Sequence, residues 1–193
     1  MSVASAVAMS EDEYLEAERT AKERHEFVAG QCWAMSGGTH EHAVIQANLL
    51  RELGNALRDR PCFVHSGDMR LKSELTGLYT YPDASITCDP PRFLDSRRDT
   101  LLNPTAVFEV LSDSTEAYDR GKKFDHYRRI PSVCHYVLVS QHEVQIEHRR
   151  RLPDGSWSLH IVGPGEELEV VGCRLVVDEV YLKVLFEGAP PTS

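Results

Sequence analysis

Two carboxylates in this sequence lie where a purely structural β-strand would not carry them. Asp83 follows a proline at the start of the apolar run ASIT, and Glu109 interrupts the run AVFEVL. Burying a carboxylate in an apolar strand is costly unless the group is paired or binds a cation. If the two strands are neighbours, both side chains can hold one hard divalent cation, Mg²⁺ or Mn²⁺, with water completing its coordination.

A lysine on the helix that follows supplies a third component. Lys123 shares a helical face with Tyr127 and Ile130, whereas Lys122 falls on the outward side, so we expect Lys123 to point toward the Glu109 strand. An aspartate, a glutamate and a lysine around Mg²⁺ can hydrolyse a phosphodiester. The metal polarises the phosphoryl group and helps to ionise water, while the lysine orients that water or neutralises developing charge.

Each of these residues also has a simpler explanation. Asp83 after a proline can be a turn-forming carboxylate, and Glu109 can be satisfied by a buried ion pair with Lys123 and no metal. We expect His42, at the start of a long helix, to be a packed histidine, because its spacing from the neighbouring histidine does not suit a zinc site.

Helices are predicted at three places. A capping-box pattern predicts a helix over residues 10–22, and apolar residues at every fourth position predict the longest helix over residues 41–58. A second capping pattern, Asp113 with Glu116, predicts a helix over about 116–130.

Apolar runs predict strands through the rest of the chain. A hairpin turns at Gly30, and a strand over residues 80–88 precedes a charged loop over 92–103 that we expect to be mobile. The apolar run over 104–111 is typical of a central strand buried on both faces. Further strands between residues 133 and 177 alternate with glycine- and proline-containing turns.

These elements predict an α+β fold with a mixed β-sheet, flanking helices and extra C-terminal antiparallel strands. A length of 193 residues fits one domain, 1–193, whose residues 1–9 we expect to form a disordered lead-in. Neither internal repeats nor an interdomain linker interrupts the sequence.

Composition restricts the class of protein. With 41% hydrophobic and 26% charged residues the chain is typical of globular proteins, and no run approaches the ~20 apolar residues of a membrane span. The net charge of −9 repels polyanions, so DNA must meet a local basic patch such as Arg149-Arg150-Arg151. The five cysteines are odd in number and widely spaced, which favours buried thiols in a reducing, cytoplasmic setting over disulfides.

Several motifs lie along the chain in a fixed order. The central ones are Tyr81-Pro82-Asp83, Glu109-Val110-Leu111-Ser112-x-Ser114-Thr115 and Asp119-x-x-x-Lys123-x-x-x-Tyr127; the outer ones are Glu26-Phe27-Val28-x-Gly30, Gly37-Gly38-Thr39-x-x-His42 and Asp178-Glu179-Val180-Tyr181. Together they resemble the signatures of the Uma-two family of putative restriction endonucleases, a branch of the PD-(D/E)XK nuclease superfamily.

The resemblance implies a restriction-endonuclease-like fold and a metal-dependent endonuclease acting on DNA. It implies Asp83 and Glu109 as ligands of Mg²⁺ or Mn²⁺, the Val110 carbonyl as a further ligand, Lys123 as the motif lysine, and Glu26 as an additional acidic member. A homodimer is expected, because cutting both strands of a duplex is simplest with two sites.

Two departures and one rival function accompany this resemblance. The family commonly has an acidic residue just before the hairpin glycine, where this chain has Ala29. A classical D/E-x-K pattern would place a lysine at position 111, where this chain has Leu111, and the family supplies the lysine from the helix at Lys123. Glu26 can equally be a solvated strand residue. The rival function is a catalytically inactive nuclease-fold protein that serves as a nucleic-acid-binding or assembly module.

Overall fold

The computed structural model describes residues 9–35 and 37–186. Its helices are α1 (Glu11–Glu18), α2 (His40–Ala56), α3 (Glu116–Tyr118), α4 (Phe124–Tyr127) and α5 (Val177–Val180), and a π-helical segment, Asp119–Lys123, joins α3 to α4. Its strands are β1 (His25–Val28), β2 (Gln31–Ala34), β3 (Phe63–Ser66), β4 (Arg70–Ser73), β5 (Leu78–Thr80), β6 (Ala84–Thr87), β7 (Thr100–Leu101), β8 (Ala106–Val110), β9 (His135–Val139), β10 (Ile146–Arg151), β11 (Trp157–Val162), β12 (Glu167–Val170) and β13 (Cys173–Val176).

The larger sheet has six strands in the order β11-β10-β9-β8-β6-β3. Strands β8 and β9 are parallel and the other pairs are antiparallel. All five residues of β8 are buried, which confirms the prediction of a central strand covered on both faces. The mixed pairing, the flanking helices and a separate antiparallel pair, β12 and β13, confirm the α+β prediction.

Each face of the larger sheet is covered by a different layer. On one face, Phe108 and Val110 of β8 belong to the core built around α2, whose predicted apolar stripe is fully buried. On the other face, Val107 and Leu111 belong to a cluster with Tyr127. Because side chains alternate along a strand, Glu109 faces the layer formed by residues 116–127.

The smaller sheet has five strands in the order β2-β1-β5-β4-β7. Its β1–β2 hairpin turns at Gly30, which has a φ of 79°, as the sequence predicted. Tyr14 of α1 stacks on Phe27 and contacts Tyr79, so these aromatic rings hold α1 against this sheet. The capping box at the start of α1 is present, with Ser10 accepting from the Glu13 amide.

The single strand predicted over residues 80–88 is wrong. The chain instead ends β5 at Thr80 in the smaller sheet and begins β6 at Ala84 in the larger one. Pro82 lies between them and has no N–H to continue a ladder, so the chain passes here from one sheet to the other. Asp83 therefore stands at the seam between the two sheets.

The charged segment over residues 92–103 contains more structure than a loop. It includes β7, which pairs in parallel with β4, and it is tied to α1 because Arg19 forms ion pairs with Asp95 at 2.6 Å and Asp99 at 2.8 Å. The sequence could not show this attachment, because the partners are about eighty residues apart. Mobility of the segment stays a prediction.

The third helix begins at Glu116, within the predicted range, but the predicted capping box is absent. Thr115 is the N-cap and its side chain makes no capping hydrogen bond, while Asp113 is exposed and pairs with His142 at 2.7 Å. The helix is also not uniformly α-helical, since residues 119–123 form a wider π turn. Such turns occur often at functional sites.

The prediction that the cysteines are unpaired thiols is wrong for two of them. Cys62 and Cys88 form a disulfide, while Cys32, Cys134 and Cys173 are free. Strands β3 and β6 explain the pairing: Phe63 stands opposite Thr87, so the next residues outward on both strands are the two cysteines. The bond removes the cysteine argument for a reducing compartment.

Two further predictions concern the ends of the chain and the membrane. The expected lead-in lies outside the described residues except for Met9, whose N–H donates to the Gly30 carbonyl at 3.0 Å. Within residues 9–35 and 37–186, every helix is too short or too polar to span a bilayer.

Candidate active site

Lys123 is the centre of a buried ionic cluster. Its Nζ lies 3.0 Å from Glu109 Oε1, 3.2 Å from Glu26 Oε1 and 3.3 Å from Asp119 Oδ1. Glu26 comes from β1 of the smaller sheet, Glu109 from β8 of the larger sheet, and Asp119 from the same helix as the lysine. One ammonium group therefore joins both sheets and the helix that covers them.

The π-helical segment positions two members of this cluster. Asp119 and Lys123 stand at its two ends and are both almost fully buried, while Lys122 between them is exposed. Tyr136 of β9 donates its hydroxyl to the Asp119 carbonyl at 2.9 Å, which fixes the start of the segment against the sheet. The inward direction of Lys123 agrees with the helical phase read from the sequence.

The surroundings of Glu109 oppose its ionisation. Burial raises the pKa of the Glu109 carboxyl well above its usual value, Lys123 acts in the opposite direction, and the charges of Asp119 and Asp83 raise it further. The Tyr127 hydroxyl donates to Glu109 Oε1 at 2.8 Å. Lys123 stays cationic, because although burial would lower its pKa, Glu109 and the other acids around it raise that pKa well above the usual value.

Asp83 accepts hydrogen bonds from three sides. The Val110 main-chain N–H donates to Oδ2 at 2.7 Å, and Oδ1 lies 2.9 Å from His42 Nε2 and 3.1 Å from Gln46 Nε2. Since Ala84 pairs with Phe108 in the antiparallel β6–β8 ladder, Asp83 falls opposite Glu109, one residue beyond the last pair. The two carboxylates predicted from the sequence thus meet at the end of β8.

His42 belongs to the site through its contact with Asp83. Burial alone would lower the pKa of the His42 imidazole, but the hydrogen bond to Asp83 and the charge of that carboxylate raise it overall. The Thr39 side chain caps the start of α2 by accepting from the His42 amide, which places the ring at the opening of the site. His42 and Asp83 keep side-chain exposures of 16% and 17%, so this is the more accessible end of the cluster.

Carboxyl groups outnumber basic groups in this region. Four carboxylates, those of Glu26, Asp83, Glu109 and Asp119, gather around one lysine and one histidine. Burial raises the pKa of Asp119, and its Oδ1, although at ion-pair distance from Lys123, makes no hydrogen bond. An all-oxygen donor set with surplus charge suits a hard divalent cation.

The arrangement is not a fully assembled metal centre. Among the described residues, no group of three or more histidine, cysteine, aspartate or glutamate side chains has the geometry to hold a metal ion. Three of the carboxylates converge on the Lys123 ammonium instead.

The structure brings the residues proposed from the sequence into one region. Asp83, Glu109 and Lys123 are connected through the contacts above, and Glu26, for which a solvated position was the alternative, has a side-chain exposure of 13% and pairs with Lys123. Val110 contributes its N–H to Asp83, and the ligand role of its carbonyl stays a prediction.

Three contributors were not proposed as site residues. His42 was expected to be a packed histidine and instead contacts Asp83; Gln46, one helical turn further on, donates to the same carboxylate; Asp119 contacts Lys123. The sequence contains a signal for two of these residues, because His42 ends the Gly-Gly-Thr-x-x-His motif and Asp119 begins the motif that contains Lys123.

The predicted basic patch is partly used for other purposes. Arg149 donates to the Arg120 carbonyl at 2.8 Å, and Arg151 donates to the carbonyls of Arg128 and Ile130. These arginines hold the segment around residues 120–130 against the sheet. Only Arg150 of the three is exposed.

The two-sheet α+β fold is of the restriction-endonuclease-like class. The fold matches the crystal structure of a putative nuclease belonging to DUF820 from Anabaena variabilis, with a TM-score of 0.73, 14% identity, and coverage of 92% of this chain and 99% of that chain. The sequence matches the Uma2 family, described as "Putative restriction endonuclease", over residues 11–177. The chain belongs to this family, as the sequence motifs predicted.

Two proteins from Synechocystis sp. are similar to this chain along most of its length. The protein named "Uncharacterized protein slr1290" is 37% identical over 182 residues, which cover 92% of this chain and 94% of the relative. The protein named "Uncharacterized protein sll1609" is 33% identical over 170 residues, which cover 88% and 96%.

Proposed function

We propose that the protein is a Mg²⁺- or Mn²⁺-dependent endonuclease that hydrolyses phosphodiester bonds in DNA. The observation that carries this proposal is the surplus of carboxylates around Lys123 at the seam between the sheets. Four carboxyl groups face one lysine and one histidine there, and oxygen ligands of this kind are those that a hard divalent cation prefers. The family assignment supports the same reaction class.

Asp83, Glu109 and the Val110 carbonyl are the groups that would hold the metal. The bound cation would polarise the phosphoryl oxygen and lower the pKa of a coordinated water. Lys123 contributes a fixed positive charge, because its pKa is raised by the acids around it, and it neutralises charge that develops on the phosphate.

The remaining residues position these groups. His42 and Gln46 hold the carboxylate of Asp83 from α2, and the Tyr127 hydroxyl holds Glu109 from the opposite side. Asp119 and Glu26 restrain the Lys123 ammonium, so that its direction does not depend on the substrate.

Cleavage of supercoiled plasmid in Mg²⁺ or Mn²⁺ tests the proposal. Asp83→Asn and Glu109→Gln keep the shape of each side chain and are expected to lower the cleavage rate at least about 100-fold, as removal of a metal-holding charge does. Glu16→Ala, an exposed acid on α1, is the matched control and should cleave like the wild type. Unchanged cleavage by Asp83→Asn would refute the assignment.

One observation favours the rival function, a catalytically inactive module with an ion-paired polar centre. Glu109 and Asp83 already have protein partners for their charge, namely Lys123 and Tyr127 for the first and His42, Gln46 and the Val110 amide for the second. Calorimetry with Mn²⁺ separates the two functions. The nuclease predicts a binding heat that disappears in Asp83→Asn, and the rival predicts none.

The partners follow from the same reaction. Duplex DNA has two strands to cut, so we infer a homodimer that presents two sites. The net charge of −9 means that DNA binding must be local and sensitive to salt. A cytoplasmic setting, where DNA is met, completes the proposal.

A further inference from the structure

One edge of the larger sheet is open and apolar. Strand β11 is the outermost strand beside β10, and its Leu159 and Ile161 are 55% and 54% exposed. These two residues are two positions apart, so they project from the same face of the strand. The strand WSLHIV contains neither lysine nor proline, the residues with which natural proteins usually block an edge strand.

The other sheet edges are less suited to pairing. The opposite edge strand, β3, has four residues and is joined to its neighbour by the Cys62–Cys88 disulfide. In the smaller sheet, the edge strands β2 and β7 have four and two residues. With six residues, β11 is the longest edge strand in the part of the chain that the structure describes.

We propose that β11 pairs antiparallel with β11 of a second copy of this chain and joins the two larger sheets into one. A two-fold axis at His160 sets Leu159 of each copy opposite Ile161 of the other. Residues that face each other in an antiparallel pair project from the same side, so the four side chains form one apolar cluster across the axis. The free main-chain groups of both edges are satisfied by each other.

Charge favours this antiparallel arrangement. The β10–β11 pair is basic at the end that contains Arg150, which is exposed, and acidic at the end where Glu143 and Glu166 border a groove beside Ile161. The two-fold axis sets the basic end of each copy beside the acidic end of the other. This local attraction offsets the repulsion expected between two copies that each carry a net charge of −9.

The proposed β11–β11 interface is small, so we expect the dimer to be weak. One strand pair and two apolar residues from each copy cover less than the roughly 800 Å² per partner of a standard interface. The dimer should therefore dissociate on dilution, with a dissociation constant on the order of micromolar. This inference rests on the homodimer of the proposed function. Its test measures molecular mass and not cleavage, so failure of the dimer and failure of catalysis are distinguishable.

Sedimentation of the full chain across about 1–100 μM tests the proposal. The wild type should shift from monomer to dimer, while Leu159→Lys and Ile161→Lys should remain monomers with an unchanged circular dichroism spectrum. Leu75→Lys is the matched control, because Leu75 is 73% exposed in the turn between β4 and β5, away from β11, and it should dimerise like the wild type. A wild type that stays monomeric, or a dimer that survives both β11 substitutions, overturns the proposal.

A cross-link tests the register. His160→Cys places a thiol on the two-fold axis, so mild oxidation should convert this variant into a disulfide-linked dimer, whereas the wild type with its own free cysteines should give none. Absence of the cross-link in a variant that sediments as a dimer overturns the pairing at His160.

Discussion

Replacing Lys123 by methionine would remove the only ammonium group from the ionic cluster while keeping the length of the side chain. The structure offers a matched control at the next position, since Lys122 is exposed and forms no ion pair in the described part of the chain. Lys122→Met changes the net charge and the composition in the same way. Any difference between the two variants therefore reports the buried environment.

The expected loss follows from the contacts of the ammonium group. Three carboxylate oxygens within 3.0–3.3 Å lose their counter-charge, and two of those acids, Glu109 and Asp119, are almost fully buried. Removing one partner of a buried ion pair costs about 3–5 kcal/mol. For a chain of this size, such a loss lowers the melting temperature by about 8–15 °C, whereas Lys122→Met should change it by less than about 2 °C.

The loss should depend on pH in a defined direction. Burial raises the carboxyl pKa values of Glu109 and Asp119, and Lys123 is the group that acts in the opposite direction, so its removal raises both pKa values further above those of the unfolded chain. The protonated forms therefore stabilise the variant at low pH, and this stabilisation is lost as the pH rises. Thermal melts at pH 5 and pH 7 should show the larger deficit at pH 7. Equal melting of the two lysine variants at pH 7 would refute the buried cluster.

Three further predictions concern other parts of the fold. Burial lowers the pKa of His135 and His148 to about 4, below the value in the unfolded chain. Chemical denaturation should therefore show a stability loss of about 2 kcal/mol per histidine between pH 7 and pH 4.5, and His148→Gln, which leaves His135 in place, should reduce the loss to about half. Tyr127→Phe removes the hydroxyl that donates to buried Glu109 and should cost about 2 kcal/mol; a cost below 0.5, by the same scale, would contradict that bond. Asn48→Ala frees two carbonyls near α5 and should speed amide exchange there, leaving β8 unaffected.

The part of the site that depends on local spacing could be predicted from the sequence. The inward direction of Lys123 follows from helical phase relative to Tyr127, and the burial of Glu109 follows from the apolar run around it. The family motifs then linked Asp83 and Glu26 to them. Such predictions succeed because each uses residues within a few positions of one another.

The remainder depends on contacts between distant segments. The segment over residues 80–88, which contains β-branched and aromatic residues, resembles one strand, and only the positions of the two sheets show that Pro82 separates β5 from β6. The contact of His42 with Asp83 spans forty-one residues, and the Cys62–Cys88 bond spans twenty-six. Contacts over such sequence separations leave no periodic signal, because they are fixed by tertiary packing.

Lys123 and Asp83 differ in how much of the fold depends on them. Lys123 forms ion pairs with Glu26 and Glu109 and so connects a strand of each sheet to the covering helix. A substitution of Lys123 would therefore weaken the tertiary structure as well as the proposed cleavage. Asp83 accepts hydrogen bonds from the Gln46 side chain of α2 and the Val110 main-chain N–H of β8. The oxygen of an amide side chain at position 83 can accept such bonds as well. Asp83→Asn is therefore the substitution expected to remove the proposed cleavage and leave the fold intact, so this variant is suited to trapping DNA on the protein.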